Sequence, residues 1–204
     1  MRALLVKDWI VSRKLLILSL IILILVSFVV SNDQLPLILG LLLSMFNMRN
    51  IDGLEDKNEY HALIQSMPVS RFEVVVSKTI FHFLQVGINL SLIILLNSIL
   101  PSLKGNSIKE VFLTVVMAIL LILGYQLLYI IFGPVFMSYV TIIIFLVIIM
   151  FGWTLANSAF IQGALRWLSS IKPATLILSS ALIVLVVSAL LLFLTVKVYE
   201  SKDL

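Results

Sequence analysis

The stretch VFLTVVMAILLILGYQLLYIIFGPVFMSYVTIIIFLVIIMFGW, residues 111–153, contains no charged side chain and decides the fold. An α-helix rises about 1.5 Å per residue, so this stretch is far too long for one crossing of a hydrocarbon core about 30 Å thick. The pair Gly133-Pro134 lies near its middle and is a strong break in a helix. We therefore predict two membrane spans here, 111–132 and a second from the break to about Trp153.

The rest of the chain is also strongly apolar. Of its 204 residues, 62% are hydrophobic and only 12% are charged, and the mean hydropathy is +1.21. A soluble domain typically has about 25% charged residues. Four further apolar runs predict spans at 15–30, 35–48, 80–100 and 174–196, which gives about six crossings. The sequence thus predicts an all-α polytopic membrane protein with one transmembrane domain over residues 1–204.

The first two spans have particular features. Residues 1–14 carry charges and predict an interfacial helix before the first span. Ser31-Asn32-Asp33 is not a small-residue cleavage site, so we expect 15–30 to be an uncleaved span. The run 35–48 is short, so its helix is expected to continue past the membrane surface or to lie where the bilayer is thinner.

The distribution of basic residues predicts the orientation. With the N-terminus inside, 10 of the 14 lysine and arginine residues lie on the cytoplasmic side and 4 lie outside. Positive residues are concentrated on the cytoplasmic side of membrane proteins. We therefore expect a multi-pass protein of the bacterial inner membrane with both termini in the cytoplasm.

Several kinds of chemistry are missing from the sequence. There is no cysteine, and no P-loop, G-x-S-x-G or H-E-x-x-H motif, so we expect no catalytic residue and no ATP site on this chain. His61 lies near acidic residues that include Glu55, but a solvated cytoplasmic helix face is a better interpretation than a metal site. Within the predicted spans only His82 is ionisable, which argues against a proton-driven carrier. Energy for any transport is therefore expected to come from another chain.

The third predicted span has a polar face. Lys78, His82, Gln85 and Asn89 are spaced 4, 3 and 4 residues apart, which places them on one side of a helix. Polar groups at this depth should face protein or water. The functional hypothesis is that His82, Gln85 and Asn89 line a translocation path or a dimer seam. The alternative is ordinary hydrogen bonding between helices of one subunit.

The segment 49–78 predicts a cytoplasmic loop with helical structure. Leu63, Ile64 and Met67 form a short apolar stripe, and Pro68 ends that helix. The sequence Ser70-Arg71-Phe72-Glu73 is a capping box, and the helix it starts is expected to run without a break into the third span. Such a loop suits the docking of a cytoplasmic partner. The alternative is a helix that lies on lipid headgroups.

This loop resembles that of type-2 (ABC-2-like) permease subunits of ATP-binding-cassette exporters, in their short six-span bacterial form. The resemblance is carried by Glu55-Asp56-Lys57-Asn58, by Leu63-Ile64-Gln65-Ser66-Met67-Pro68-Val69-Ser70-Arg71, and by Glu73 and Ser77-Lys78, with Met67 where the family usually has leucine.

The resemblance implies a coupling helix that contacts a separate ATPase, which itself binds ATP and Mg²⁺. It also implies a second permease subunit and a re-entrant segment on the outer side, which corresponds to residues 154–173. The residues expected to couple to the ATPase are Glu59, Leu63, Ile64, Met67, Pro68, Ser70, Arg71 and Glu73.

Two functions of different classes follow from these observations. The first is the permease subunit of an exporter for an amphipathic or lipid-like cargo, which includes membrane-active or antimicrobial peptides. The second is a membrane scaffold or immunity protein that binds a partner without transport. A neighbouring reading frame that encodes a P-loop ATPase would favour the first. The choice between a homodimer and a heterodimer stays open.

Overall fold

The computed structural model of the chain describes residues 2–30, 34–57, 70–100, 103–156, 163 and 173–201. These residues form five α-helices, each of them long and apolar enough to cross a membrane. In chain order they are α1 (Arg2–Val29), α2 (Leu37–Lys57), α3 (Arg71–Ile99), α4 (Ile108–Ala156) and α5 (Pro173–Ser201). The prediction of an all-α polytopic membrane fold is confirmed.

Two helices are longer than the spans predicted within them. The predicted interfacial helix 1–14 and the span 15–30 belong to the single continuous helix α1. The short second span continues as helix α2 to Lys57, as expected of a run too short to cross the bilayer alone. Helices therefore extend the bundle beyond the apolar runs at the end where α1 begins and α2 ends.

Helix α4 contains the predicted break. It has 49 residues, about 74 Å of helix at 1.5 Å per residue, and its only residue described as non-helical inside these bounds is Gly133, with φ 82° and ψ 177°. A positive φ is easily adopted only by glycine, because it has no Cβ. Pro134 follows and has no backbone N–H to continue the hydrogen-bond ladder.

Contacts with α2 show that the chain turns back at this break. The Tyr125 hydroxyl donates to Asp52 Oδ2 at 2.9 Å, and Arg49 Nε donates to Ser138 Oγ at 3.2 Å. Asp52 and Arg49 are one turn apart, whereas Tyr125 and Ser138 would be about 20 Å apart on a straight helix. The two halves of α4 therefore lie beside the same part of α2.

The second half of α4 continues back along α2. The rings of Phe46 and Phe145 meet edge to face with centroids 6.4 Å apart, closer to the start of α2 than the Ser138 contact. The two halves thus occupy the places of the fourth and fifth predicted spans. The number of six crossings itself stays a prediction.

Helix α3 lies in the middle of the bundle and packs against α1, α2, α4 and α5. It packs on α2 at Gly40, where an added Cβ would lie 2.9 Å from Ile93 Cδ1 and 3.2 Å from Leu90 Cδ2. A larger residue at Gly40 would require these two side chains to shift. Large apolar side chains cover the outside of the bundle, as expected of a surface that faces lipid.

The bundle has two ends, which we name after residues of α3. The Lys78 end contains the starts of α1 and α3, the end of α2, the Gly133 turn and the end of α5. The Asn97 end contains the end of α1, the start of α2, the end of α3 and the start of α4.

Candidate functional site

The start of α3 is capped as the sequence predicts. The Glu73 N–H donates to Ser70 Oγ at 3.2 Å, and the Ser70 N–H donates to Glu73 Oε2 at 3.0 Å. Arg71 Nη1 also donates to the backbone oxygen of Tyr199 at 3.1 Å, which joins the first turn of α3 to the end of α5. The chain therefore enters the bundle through a fixed first turn.

Two turns further along α3, Lys78 belongs to a buried group of charges that we call the ion cluster: Lys7, Asp8, Asp52, Glu55 and Lys78. Lys78 Nζ lies 2.8 Å from Asp52 Oδ1 and 2.6 Å from Glu55 Oε2, and Glu55 also binds Lys7. Lys7 in turn lies 3.1 Å from Asp8. The side chain of Glu55 is 0% exposed and that of Asp52 is 2% exposed. Buried charges need such partners, because their loss of hydration is costly. The ion cluster joins α1, α2 and α3.

Helix α4 also contacts the ion cluster. Tyr125 donates to the second oxygen of Asp52, and Lys78 Nζ lies 5.0 Å from the centre of the Tyr129 ring. Beside them, Thr79 Oγ1 donates to Gln126 Oε1 at 2.7 Å, and Gln126 Nε2 donates to a backbone oxygen of α3 at 3.1 Å. Four helices therefore meet around Asp52 and Lys78.

This cluster corrects part of the sequence analysis. The expectation that Glu55 lies on a solvated cytoplasmic helix face near His61 is wrong: Glu55 is fully buried and binds two lysines. Asp52 also belongs to the interior rather than to a loop. Their spacing of three residues, in line with the buried Met48 on α2, was the signal that would have placed both carboxylates on one inward face.

The polar face of α3, expected to face protein or water, points into protein. Asn89 Nδ2 donates to Ser44 Oγ at 2.8 Å, and Ser19 Oγ donates to Asn89 Oδ1 at 3.2 Å. Asn89 thus joins α1, α2 and α3 by the interhelical bonding that the sequence left as an alternative. His82 is 2% exposed and Gln85 is 0% exposed. A role of these three residues in a translocation path stays a prediction.

The Asn97 end has a polar contact of a different kind. Asn97 Oδ1 accepts from the Leu35 N–H at 2.9 Å, and Asn97 Nδ2 donates to the Leu35 oxygen at 3.1 Å. Asn97 Nδ2 also donates to Asn106 Oδ1 at 2.8 Å. A single side chain of α3 thereby holds the connection between α1 and α2 and the connection between α3 and α4.

The predicted coupling residues divide into two sets. Ser70, Arg71 and Glu73 form the capped start of α3 described above. The others lie outside the described residues, as do His61 and most of the predicted re-entrant segment 154–173; they are Glu59, Leu63, Ile64, Met67 and Pro68. Within the described ranges, no group of three His, Asp or Glu side chains is arranged to hold a metal ion.

Comparison with known proteins gives one match. A protein-family profile described as "ABC-2 family transporter protein" matches residues 3–200, which is nearly the whole chain. No curated protein and no solved structure matches the sequence.

Proposed function

The chain belongs to the ABC-2 family of transporter proteins, and from this premise we propose that it is the membrane half of an exporter driven by a separate ATPase. Family membership makes it a permease subunit of an ABC transporter, a multi-pass membrane protein that associates with ABC ATPases. Export, the coupling residues, the dimer and the cargo are the further parts of the proposal.

The observation that carries the proposal is the rigid start of α3. The segment 58–69 connects α2 to Ser70, where the capping box and the Arg71–Tyr199 bond fix the first turn. Two turns later, Lys78 is bound to Asp52 and Glu55. A displacement of the loop by a bound ATPase would therefore reach the ion cluster through continuous helix.

The coupling helix is proposed to dock on the ATPase through its apolar stripe, Leu63, Ile64 and Met67. Buried apolar anchors dominate the energy of small interfaces, and exposed charges at the rim contribute little. In this proposal Glu59 and Arg71 orient the helix, Pro68 ends it, and Ser70 with Glu73 starts the lever. ATP and Mg²⁺ would be bound by the partner ATPase.

The transport path is proposed to run between this permease and a second permease subunit, and His82, Gln85 and Asn89, which are buried among the helices of this chain, would reach it only when these helices move apart. An amphipathic or lipid-like cargo, such as a membrane-active or antimicrobial peptide, suits a protein whose outer faces are mostly apolar. The proposed setting is the bacterial inner membrane, with both termini and the 58–69 segment in the cytoplasm.

The test is a double substitution in the apolar stripe. Leu63→Asp with Met67→Asp should abolish co-purification of the ATPase and cargo-stimulated ATP hydrolysis, because two carboxylates cannot enter an apolar groove without partners. The permease should still insert in the membrane. The measurements are affinity co-purification from detergent and ATP turnover in proteoliposomes with and without cargo.

The matched control is Ile108→Asp, which places a carboxylate at an apolar position 80% exposed at the Asn97 end. This variant should retain ATPase binding. A double aspartate variant that binds the ATPase as well as the parent would exclude this helix as the docking site.

A further inference from the structure

A small cavity lies beside the ion cluster. Its volume is about 30 Å³, and it is lined by residues of α3, α4 and α5 together with Asp52 of α2. The polar side chains that line it include Lys78, His82 and Tyr129, and the apolar ones include Val75. A water molecule needs about 10–15 Å³ of cavity volume, so this cavity has room for one or two water molecules.

Two polar atoms of the lining residues have no hydrogen-bond partner among the residues that the structure describes. They are His82 Nδ1 and the Tyr129 hydroxyl, whose residues are 2% and 8% exposed. Buried polar groups in folded proteins nearly always have a partner, from protein or from ordered water. Both atoms belong to residues that line the same cavity, which is otherwise mostly apolar, so the cavity is the space beside them in which a small ligand could bind.

The charges around the cavity restrict the ligand. Lys78 is already bound to Asp52 and Glu55, and its ammonium would repel a cation. The carboxylate of Asp52 would repel an anion. A phenol hydroxyl and an imidazole nitrogen between them offer both donor and acceptor capacity, which matches a neutral molecule that both donates and accepts. Water has this chemistry and the right size.

Unpartnered polar atoms continue one turn deeper in the bundle. Both amide atoms of Gln85 and the Nδ2 atom of Asn47 also have no partner within the described chain. Each lies on its helix between the Asp52–Lys78 contact and the Ser44–Asn89 contact, so the antiparallel pairing of α2 and α3 puts the two side chains at one level. Several of the buried polar atoms that lack a hydrogen-bond partner in the described chain therefore lie between these two contacts.

We propose that the cavity is an internal hydration site, in which one or two water molecules bridge the Tyr129 hydroxyl and His82 Nδ1 beside the ion cluster. The proposal stands on the cavity and its unpartnered atoms, and does not depend on export. A water at this place also gives Lys78 and Asp52 a substitute partner when the helices move, so the ion pairs can separate without leaving bare charges in the bundle.

The test uses the small number of histidines in the chain. There are two, so a His61→Gln background labelled with ¹⁵N-histidine gives signals from His82 alone. Solid-state NMR in lipid bilayers then measures magnetisation transfer from water protons to the His82 ring. We expect clear transfer in this background, because the ring is 2% exposed and the cavity water is then its source.

Two variants and two matched controls make the test specific. Val75→Ile fills the cavity and should reduce the transfer several-fold, whereas Val86→Ile adds the same group elsewhere on the buried side of α3 and should leave it unchanged. Tyr129→Phe removes one proposed ligand and should also reduce the transfer, whereas Tyr139→Phe changes an exposed tyrosine and should not.

The proposal is overturned if the background protein shows no transfer from water to His82. It is also overturned if Val75→Ile and Val86→Ile give equal transfer in folded protein, as judged by gel filtration and melting temperature. Should Val75→Ile fail to fold, Tyr129→Phe decides in the same way, because it leaves the packing of the ring in place.

Discussion

The two ends of the helix bundle are held by opposite chemistry. At the Lys78 end, Lys78 binds two carboxylates of α2, and Glu55 also binds Lys7 of α1. At the Asn97 end, a neutral amide binds both backbone groups of Leu35. The first contact joins helices through side chains, and the second fixes the chain just before a helix begins.

The two contacts differ in whether their bonding partners can be exchanged when the helices move. Glu55 has two lysines and Lys78 has two carboxylates, so a shift of α3 can replace one ion pair by another within the ion cluster. Asn97 uses the donor and the acceptor of one residue at once, an arrangement that only one relative position satisfies. We infer that the Lys78 end is the adaptable end and that the Asn97 end is the fixed one.

The largest effect is expected when Lys78 is replaced by methionine. Lys78→Met keeps the length of the side chain and removes its charge, which leaves Asp52 without an ionic partner and Glu55 with one. Removal of one member of a buried ion pair typically destabilises a protein by about 3–5 kcal/mol. The melting temperature of the purified protein in detergent should fall strongly.

Two comparison variants test the cause of that loss. Lys104→Met removes an exposed lysine at the Asn97 end and should leave the melting temperature nearly unchanged. Asp52→Asn added to Lys78→Met should recover part of the loss, because a neutral amide can stay buried at lower cost than a carboxylate. If Lys78→Met melts like Lys104→Met, the ion cluster does not hold the helices together.

At the other end, Asn97→Ala should have a smaller effect. It leaves the N–H and the oxygen of Leu35 buried without their partner, at a cost of about 1–3 kcal/mol. Asn50→Ala is the matched control, since within the described residues the Asn50 amide donates to the Phe46 oxygen of its own helix, at 2.8 Å. Thermal melts of the two variants should differ clearly, and equal melts would contradict the role of Asn97 as a fixed contact.

Local signals in the sequence were sufficient for the apolar helices, for the break in α4 and for the cap of α3. The glycine-proline pair predicted the break at Gly133, and the spacing of Ser70 and Glu73 predicted the capping box. The 4, 3 and 4 spacing on α3 predicted one polar face turned to protein or water, and the structure shows that it is protein. Each of these depends on residues close together in the chain, where geometry is set by the helix itself.

The ion cluster could not be predicted from the sequence, because it is formed by contacts between residues that are far apart in the chain. Lys7 and Glu55 are 48 positions apart, and Lys78 and Asp52 are 26 apart. Because alternating charges are typical of solvated helices, the end of α2 was assigned to a loop. Only the packing of α1 and α3 on α2 takes the carboxylates out of water. Ser19 and Ser44 bond to Asn89, and these two contacts could not be predicted from the sequence for the same reason.

The smallest predicted change in stability gives the sharpest test of coupling. Among the described residues, two capping boxes with the same chemistry lie at opposite ends of the bundle. Ser107 at the start of α4 repeats the arrangement of Ser70: its N–H donates to Glu110 Oε2 at 2.9 Å, and the Glu110 N–H donates to Ser107 Oγ at 3.2 Å. Ser70→Ala and Ser107→Ala should each destabilise the protein by about 1 kcal/mol, since each removes one N-cap hydroxyl.

The two serine variants should differ only in their effect on the ATPase. Ser70 begins the helix that joins the 58–69 segment to Lys78, so its loss should loosen that connection, whereas Ser107 lies at the Asn97 end. The measurement is the ratio of cargo-stimulated to basal ATP hydrolysis in proteoliposomes, with co-purification to confirm that the ATPase is bound. We expect the ratio to fall in Ser70→Ala and to stay at the parent value in Ser107→Ala. An equal fall in both would mean that stability alone sets the ratio, and an unchanged ratio in both would mean that force does not pass through the first turn of α3.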